Sequence, residues 1–413
     1  MACHQSYSLA SKENSCGWKM TMDILHTPPR FKPSPQLMKN LLLLAIIGGA
    51  VSLIGIFFVP ERAWANLLLA NYYLLGLGLA AIIFIAILYV SNAGWATAIR
   101  RVPEAMTSVI PVAAVVMLFL FFGIHRLYEW SHIDIIEHNH VLQEKTAWLN
   151  IPFFIARTIA YLSIWFAFAV YIVKQSRKQD ESGAIKAFTR SKTASAIFLV
   201  VFAITFSLAS MDWIMSLEPL WYSTIFGIYN MIGTFLNGLA VITLIVLLLK
   251  RMGPFEHIVT KDHLHSLGKL IFAFSTFWMY IWFSQYLLIW YSNIPEEATY
   301  MVHRQQGSWL VFTIVNVIFN WGIPFIALLP AWTKKSEGFL LRVCIIIMIG
   351  HWIDLFWMIM PPFMNDAPLV NIWELGPLGG AIALFFYFTF RTLSKGNIIP
   401  IKDPTLVESL HHH

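Results

Sequence analysis

The sequence predicts an all-α polytopic membrane protein with about ten transmembrane helices, and three observations support that fold class. Hydrophobic residues make up 58% of the 413-residue chain and charged residues only 12%. The mean hydropathy is +0.66, and no soluble domain of this length has such a composition. Long apolar runs recur along the chain, and in lipid such runs form helices because the backbone must satisfy its own hydrogen bonds.

The chain divides into three parts. Residues 1–38 are polar and proline-rich and lack the apolar core of a signal peptide, which predicts a cytoplasmic arm. Residues 39–394 form the transmembrane domain, and residues 395–413 form a cytoplasmic tail. We expect two four-helix bundles plus two flanking helices. The predicted spans are about 40–59, 67–90, 103–124, 150–173, 194–213, 222–249, 267–291, 307–331, 338–360 and 372–393.

The distribution of basic residues predicts the orientation. Of the 28 lysines and arginines, 21 lie in the arm, the tail and the loops on the side of the termini. Only 4 lie in connections on the other side, and the rest lie just inside helix ends. Cytoplasmic loops carry the excess of lysine and arginine, so both termini are predicted to be cytoplasmic and the number of spans to be even.

Several classes of site are disfavoured. The three cysteines, Cys3, Cys16 and Cys344, have neither CxxC nor CxxCH spacing, which argues against iron–sulfur, structural zinc and covalent haem sites. Bis-histidine haem is disfavoured because only His351 lies deep within a span. The net charge of +6 is explained by loop charge on one face, so no nucleic-acid partner is expected. We therefore expect no metal site in this chain.

Ionisable residues inside a membrane require a partner or a function, and they supply the candidate sites. His351 and Asp354 are three residues apart and share one face of the ninth span, where the carboxylate could orient the imidazole. Asp212 and Glu218 lie at the turn between the fifth and sixth spans. The proton-path candidates are Asp212, Glu218, His351, Asp354, Lys269 and His265.

A quinone pocket would need a histidine or a carboxylate to accept the hydroxyl proton, together with aromatic walls. The quinone-pocket candidates are Arg157, Asp212, Gln285 and His351. Structural alternatives stay open for these residues. Arg157 could form an ion pair with Asp212 or Glu218 at a helix end, and His351 and Asp354 could simply join neighbouring helices.

Four stretches of the chain resemble one known family. They are NAGWATAIRRVPEAM (92–106), SMDWIMSLEPLWYSTIFGIY (210–229), VHRQQGSWLVFTIVNVIFNWGIPF (302–325) and IPIKDPTLVESL (399–410). Together with the ten spans, they resemble the smaller of the two large membrane subunits of bacterial alternative complex III, a quinol:cytochrome c oxidoreductase. These membrane subunits are of the NrfD/polysulfide-reductase type. The resemblance covers roughly residues 38–410.

The resemblance implies a multi-pass subunit of the bacterial inner membrane that supports menaquinol oxidation. It implies iron–sulfur clusters and c-type haems in partner subunits, and menaquinone or menaquinol as the only cofactor that this chain could hold. The implied partners are a sister NrfD-like subunit with the quinol site, an iron–sulfur subunit, c-type cytochrome subunits, a terminal oxidase and lipids.

Three functions remain open at the level of sequence. The first is a membrane subunit of such an oxidoreductase that conducts protons. The second is a purely structural scaffold without a proton or quinone site. The third is a secondary transporter, which is disfavoured because the sequence shows neither inverted repeats nor helices broken at the midplane.

Overall fold

The computed structural model describes residues 29–364 and 368–412, so most of the predicted arm, with Cys3 and Cys16, lies outside the described residues. In the described part, ten helices are long and apolar enough to cross a membrane. They are α1 (Pro35–Phe58), α2 (Pro60–Ser91), α3 (Arg101–Leu127), α4 (Ile151–Ser182), α5 (Ile185–Leu217), α6 (Phe226–Arg251), α7 (Lys261–Ser292), α8 (Trp309–Leu328), α9 (Glu337–Ile359) and α10 (Ile372–Leu393). The predicted fold class is confirmed.

The helix boundaries differ from the predicted ones mainly because helices continue past the apolar runs. Hydropathy predicts that the fourth span ends at residue 173, whereas α4 continues through polar residues to Ser182. It predicts that the fifth span begins at residue 194, whereas α5 begins at Ile185. A helix satisfies its own backbone hydrogen bonds in water as well as in lipid, so hydropathy alone does not mark its end.

The ten helices form two bundles and one flanking pair. Helices α2, α3, α4 and α5 pack in a ring as the first bundle, and α6, α7, α8 and α9 form the second bundle. Helices α2 and α6 join the bundles. The predicted flanking helices, α1 and α10, lie side by side and pack against the first bundle. The two ends of the transmembrane domain therefore meet on one side of the molecule.

The contact between α2 and α6 is the centre of the fold. Buried positions make up 83% of the apolar stretch of α2 and 94% of that of α6, far more than in the lipid-facing helices. Small residues allow the two backbones to approach. A Cβ added to Gly238 would lie 2.1 Å from the Cβ of Ala80, and one on Gly76 would lie 3.1 Å from Thr234. Small residues at helix crossings are typical of membrane bundles, where close packing drives association.

Small residues also allow α1 and α10 to approach closely where they cross. Gly376 and Gly380 form a GxxxG pair on α10. A Cβ added to Gly48 of α1 would lie 2.5 Å from the Cα of Gly380, so the two backbones are in contact. Helix α10 also contains Pro377, which has no N–H to donate within the helix.

Alternation of the helices places the connections on two faces. The connection between α2 and α3 and the tail after α10 lie on one side, called here the tail face. The connection between α5 and α6 and the short helix Pro295–Gln305 lie on the other side, called here the opposite face.

The tail is folded against the tail face. The guanidinium of Arg100 donates to the carboxylate of Asp403 at 2.5 Å. The hydroxyl of Ser409 donates to the carbonyl of Trp95 at 2.6 Å and accepts from the backbone N–H of Ala98 at 3.1 Å. The tail is therefore part of the packed structure, whereas its sequence predicts only the side of the membrane on which it lies.

The ion pair at Asp403 makes docking of the tail sensitive to acid. Burial raises the pKa of Asp403, but the Arg100 guanidinium and hydrogen bonds from Thr405 outweigh burial, and the net pKa is lowered. A lowered pKa in the folded state means that the carboxylate stabilises the fold at neutral pH and loses this effect as the pH falls through that pKa. Glu104 lies in the same cluster, 3.5 Å from Arg100.

We therefore expect the protection factors of the backbone amides of residues 399–410, in which the intrinsic pH dependence of hydrogen exchange is divided out, to be constant from neutral down to about pH 4, the ordinary value for aspartate, and to fall below it. In Asp403→Asn, exchange should already be faster at neutral pH. The matched control is Asp262→Asn, which breaks a more exposed pair with Lys335 on the same face. Equal exchange in Asp403→Asn and the unmodified chain would show that the Arg100 pair does not hold the tail.

Candidate functional site

The strongest candidate site surrounds the carboxylate of Asp354 in the second bundle. Asp354 is 1% exposed and lies on α9, five residues before the helix ends. It accepts a hydrogen bond from the hydroxyl of Tyr229. The Asn316 amide donates to it at 2.8 Å, and the indole N–H of Trp278 donates at 3.2 Å. These three donors come from α6, α8 and α7, so every helix of the second bundle contributes to the site.

All three donors to Asp354 are neutral groups. Among the described residues, no lysine, arginine or histidine forms an ion pair with this carboxyl group. A buried carboxyl group without a cation is unusual within a membrane, where acidic residues normally pair with a base. The group can therefore gain or lose a proton without breaking a salt bridge.

Hydrogen bonds continue from Asp354 toward the tail face. The side chain of Asn320 donates to the side-chain oxygen of Asn316 at 2.6 Å. The hydroxyl of Ser275 then donates to the backbone carbonyl of Asn320 at 2.6 Å. These residues, with Tyr229 at the other end, form a line of polar groups that we call the polar ladder: Tyr229, Asp354, Asn316, Asn320 and Ser275.

Part of the polar ladder lies in an irregular turn of α8. Residues Ile318–Gly322 form a π-helical turn just before Pro324. Proline removes one backbone donor, and π-helical turns of this kind are frequent at functional sites. Asn320 lies inside this turn. The sequence predicts no broken helix, so this interruption is a finding of the structure.

His351 lies close to the ladder without joining it. Its ring is 5.7 Å from the ring of Tyr73 on α2, and its Nδ1 atom has no hydrogen-bond partner among the described groups. A Cβ added to Gly233 would lie 3.4 Å from both His351 and Asp354, so the two side chains share one side of α9 as predicted. The described hydrogen bonds of Asp354 do not include the imidazole, so the expected orientation of His351 by Asp354 is not observed.

Asp212 is fully paired with Arg157. The guanidinium donates twice to the carboxylate, with both distances at 2.8 Å. The indole of Trp148 donates at 2.9 Å and the hydroxyl of Tyr161 at 3.1 Å. Of the two partners weighed for Arg157, the structure selects Asp212. This geometry is that of a structural ion pair between α4 and α5.

Glu218 pairs with Arg304, a residue that the sequence places only among the loop charges. The two side chains are 2.5 Å apart, and the side chain of Arg304 is completely buried. Its guanidinium also donates to the carbonyls of Trp357 and Met358 at the end of α9, each at 3.0 Å. Carbonyls at a helix end lack partners within the helix, and a basic side chain there satisfies them.

An aromatic stack completes this contact. The guanidinium of Arg304 lies 3.5 Å from the centre of the Tyr300 ring, and that ring stacks on Trp221 at 3.8 Å. Arg304 therefore joins the turn between α5 and α6, the short helix Pro295–Gln305 and the end of α9. The sequence gives no clear signal for this role, because Arg304 stands among the polar residues His303, Gln305 and Gln306.

The remaining candidates lie apart from the ladder. Gln285 is buried near the end of α7, whereas Lys269 is exposed and His265 is partly exposed near its start. Lys269 is nine residues before Trp278, which corresponds to about 13 Å along the helix axis. The described hydrogen bonds connect none of these three residues to Asp354.

Groups of three or more histidine, cysteine, aspartate or glutamate side chains that could hold a metal do not occur among residues 29–364 and 368–412. Comparison with known proteins gives no identification. A scan against protein-family models finds no match for the chain, and a search of curated proteins finds no similar sequence.

The Arg304 contact leads to a stability prediction. Arg304→Gln should destabilise the fold by about 3 kcal/mol, because loss of one partner of a buried pair leaves the other charge uncompensated. Unfolding can be followed with a thiol-reactive dye that reports exposure of the buried Cys344, after replacement of Cys3 and Cys16 by serine.

The matched control for this prediction is Arg126→Gln. Arg126 lies 3.9 Å from Glu61 on the same face, and their side chains are 59% and 66% exposed. Exposed pairs contribute little, so this change should stay below about 1 kcal/mol. Similar unfolding temperatures for the two variants would contradict a stabilising role for Arg304.

Proposed function

We propose that this chain is an integral membrane subunit of a bacterial respiratory quinol:cytochrome c or quinol:oxidase oxidoreductase of the alternative complex III type, and that its second bundle carries protons. Two independent observations support the proposal. The four stretches described above support the family, and the environment of Asp354 supports the proton function. In this proposal the chain lies in the bacterial inner membrane with both termini in the cytoplasm.

The proton function rests on one observation, which is that the hydrogen-bond donors around Asp354 are all neutral. A group that transports protons must change its protonation state during turnover. Asp212 and Glu218 are held by arginines at 2.8 Å and 2.5 Å, so protonation of either one would leave a buried arginine without its partner. Asp354 is bound only by a phenol, an amide and an indole, so its protonation leaves no unpaired charge.

The polar ladder provides a direction for the path. From Asp354, the side chains of Asn316 and Asn320 lead toward Ser275 and the tail face. Amide and hydroxyl groups can orient water molecules along such a route. Ser275 is six residues from Lys269, about 9 Å along α7. Lys269 and His265 in this proposal lie at the entrance from the tail face.

The energy for proton movement must come from partner subunits. Movement of one charge against about 100 mV requires roughly 2.3 kcal/mol. In the proposed complex, menaquinol oxidation at a sister subunit supplies this energy. Electrons then pass through iron–sulfur clusters and c-type haems of other subunits to cytochrome c or a terminal oxidase. The role of this chain is to couple a conformational or electrostatic change in its neighbours to proton transfer at Asp354.

A scaffold function is the second candidate, and specific contacts favour it. The pairs Arg157–Asp212 and Arg304–Glu218 each join separate helices near the opposite face. Every guanidinium nitrogen of both arginines donates a hydrogen bond, as expected for structural contacts. In a pure scaffold, Asp354 would have the same role and its protonation would be irrelevant to turnover.

The variant Asp354→Asn separates the two functions. It keeps the size of the side chain and the possibility of hydrogen bonds but cannot release a proton. In the complex purified from the native host and placed in liposomes, we expect quinol-driven proton release, followed with a pH-sensitive dye, to fall at least tenfold. The amount of assembled complex should stay the same, and Asp354→Glu should restore part of the proton release.

The control for this experiment is Tyr229→Phe, which removes one donor and keeps the carboxyl group. It should retain most of the proton release. If Asp354→Asn keeps normal proton release and turnover in an assembled complex, the proton function is wrong and the scaffold function stands. If Tyr229→Phe and Asp354→Asn lose proton release to the same degree, the loss comes from disruption of the hydrogen-bond network and not from removal of the proton on Asp354.

A further inference from the structure

A groove between α4 and α5 has no role in the function proposed above. It has a volume of about 550 Å³ and borders the lipid-facing surface, since Tyr171 and Ile197 in its walls are 42% and 52% exposed. We call it the hairpin groove, because α4 and α5 form a hairpin that turns at Gly183. The groove is lined by Ala167, Phe168 and Tyr171 of α4 and by Thr189, Arg190, Thr193, Ala194 and Ile197 of α5.

The hairpin groove crosses the boundary between the apolar and the polar part of the hairpin. The apolar run of α4 ends near residue 173, and that of α5 begins near residue 194. Both helices extend beyond these points toward the tail face. Phe168 and Ile197 therefore lie at the depth of the hydrocarbon core, whereas Arg190, about 11 Å from Ile197 along α5, lies at the depth of the lipid headgroups. The groove thus has an apolar wall and a polar end.

The polar end of the hairpin groove carries unpaired positive charge. Helical spacing places Lys174 and Lys178 on the face of α4 that carries Tyr171, and Lys186 on the face of α5 that carries Arg190. In the described part of the chain, no carboxylate forms an ion pair with any of these four basic side chains. Their charges are therefore available to an anion at the end of the groove.

Nearby acidic residues do not neutralise these charges. Residues 174–193 contain two acids, Asp180 and Glu181. The carboxylate of Asp180 is bound by the guanidinium of Arg101, which is itself completely buried, so it is already paired. Glu181 is exposed at the end of α4. Four unpaired basic residues against this single acid leave the polar end strongly positive.

We propose that the hairpin groove binds a phospholipid with an anionic headgroup, of the phosphatidylglycerol class, from the leaflet on the tail face. The planar guanidinium of Arg190 can donate two hydrogen bonds to the phosphate. The hydroxyl of Tyr171, a residue type enriched at membrane interfaces, donates to an ester carbonyl. One acyl chain lies along Phe168 and Ile197. The bound lipid thereby connects α4 to α5.

Other occupants satisfy only part of the groove. A free phosphate ion would bind Arg190 but would leave the apolar wall beside Phe168 and Ile197 unfilled. An apolar helix of a partner protein would cover that wall but would leave the basic residues without a counter-charge. A zwitterionic phospholipid fits the shape, but basic side chains at the membrane surface attract lipids of net negative charge. An anionic phospholipid is the ligand that matches both parts.

This proposal does not depend on the function proposed above. The hairpin groove belongs to the first bundle, whereas the polar ladder belongs to the second. The argument for a lipid uses the shape and charge of the groove and makes no use of the resemblance to alternative complex III. Failure of the lipid proposal would therefore leave the proton proposal intact, and the reverse also holds.

The first test measures lipid binding to the full chain in detergent by native mass spectrometry. The probes are phosphatidylglycerol and phosphatidylethanolamine with the same acyl chains. Phosphatidylglycerol should bind about fivefold more tightly, as expected for one additional favourable charge contact. Arg190→Gln should weaken binding of phosphatidylglycerol about tenfold and abolish the preference. The matched control is Arg391→Gln, which removes an exposed arginine in the last turn of α10 and should keep the preference.

A second pair of variants tests the apolar wall. Ala167 is exposed and lines the hairpin groove, so Ala167→Phe should fill the groove and weaken binding of both lipids about tenfold. The control is Ala273→Phe at an exposed position of α7. Ala273 lies twelve residues after the start of its helix, as Ile197 does on α5, so the two changes fall at similar depth. Ala273→Phe should bind both lipids normally.

Four outcomes would overturn the proposal. The first is equal binding of the two lipids by the unmodified chain, and the second is an equal loss in Arg190→Gln and Arg391→Gln. The third is displacement of phosphatidylglycerol by millimolar inorganic phosphate, which would identify a site for a free anion. The fourth uses photoreactive phosphatidylglycerol. Labelling of α4 and α5 in the isolated chain but not in native membranes would show that a partner protein covers the groove.

Discussion

The structure depends on one constraint, which is that a charge within the apolar bundles must be neutralised by a partner on another segment. Arg157 and Asp212 meet this constraint between α4 and α5, and Arg304 and Glu218 meet it at the opposite face. Arg62 of α2 pairs with a glutamate of α10 in the same way. Because an unpaired charge is so unfavourable in lipid, each pair fixes the relative position of two helices. Asp354 stands out against this background, since its described partners are neutral.

Each bundle has a buried aspartate on its fourth helix, but the two aspartates have different hydrogen-bond partners. Asp212 lies on α5, the fourth helix of the first bundle, and Asp354 lies on α9, the fourth helix of the second. In each case the preceding helix supplies a partner, which is Arg157 on α4 and Asn316 on α8. The replacement of an arginine by an asparagine turns a locked ion pair into a neutral hydrogen bond. This difference makes the second bundle the better candidate for proton chemistry.

The four stretches that resemble alternative complex III meet each other in space, two on each face. On the tail face, residues 92–106 bind residues 399–410 through Arg100 and Asp403. On the opposite face, residues 210–229 bind residues 302–325 through Glu218 and Arg304. Their distinctive residue patterns thus reflect contacts that close the fold, and only Tyr229, Asn316 and Asn320 within them belong to the polar ladder. These patterns therefore bear more directly on how the fold closes than on a chemical role for their residues.

Sequence reasoning could establish the ten spans, because hydropathy acts over about twenty residues and does not depend on distant contacts. It could not establish which side chains form hydrogen bonds with each other. Asn66 and Asn71 lie on the same helix and are the same residue type, yet only Asn66 finds a carboxylate, which is 308 positions away at Glu374. Whether a buried amide is satisfied is decided by how α10 packs against α2, and that packing depends on the glycines of the α1–α10 crossing. No local pattern around Asn66 or Asn71 encodes such distant contacts.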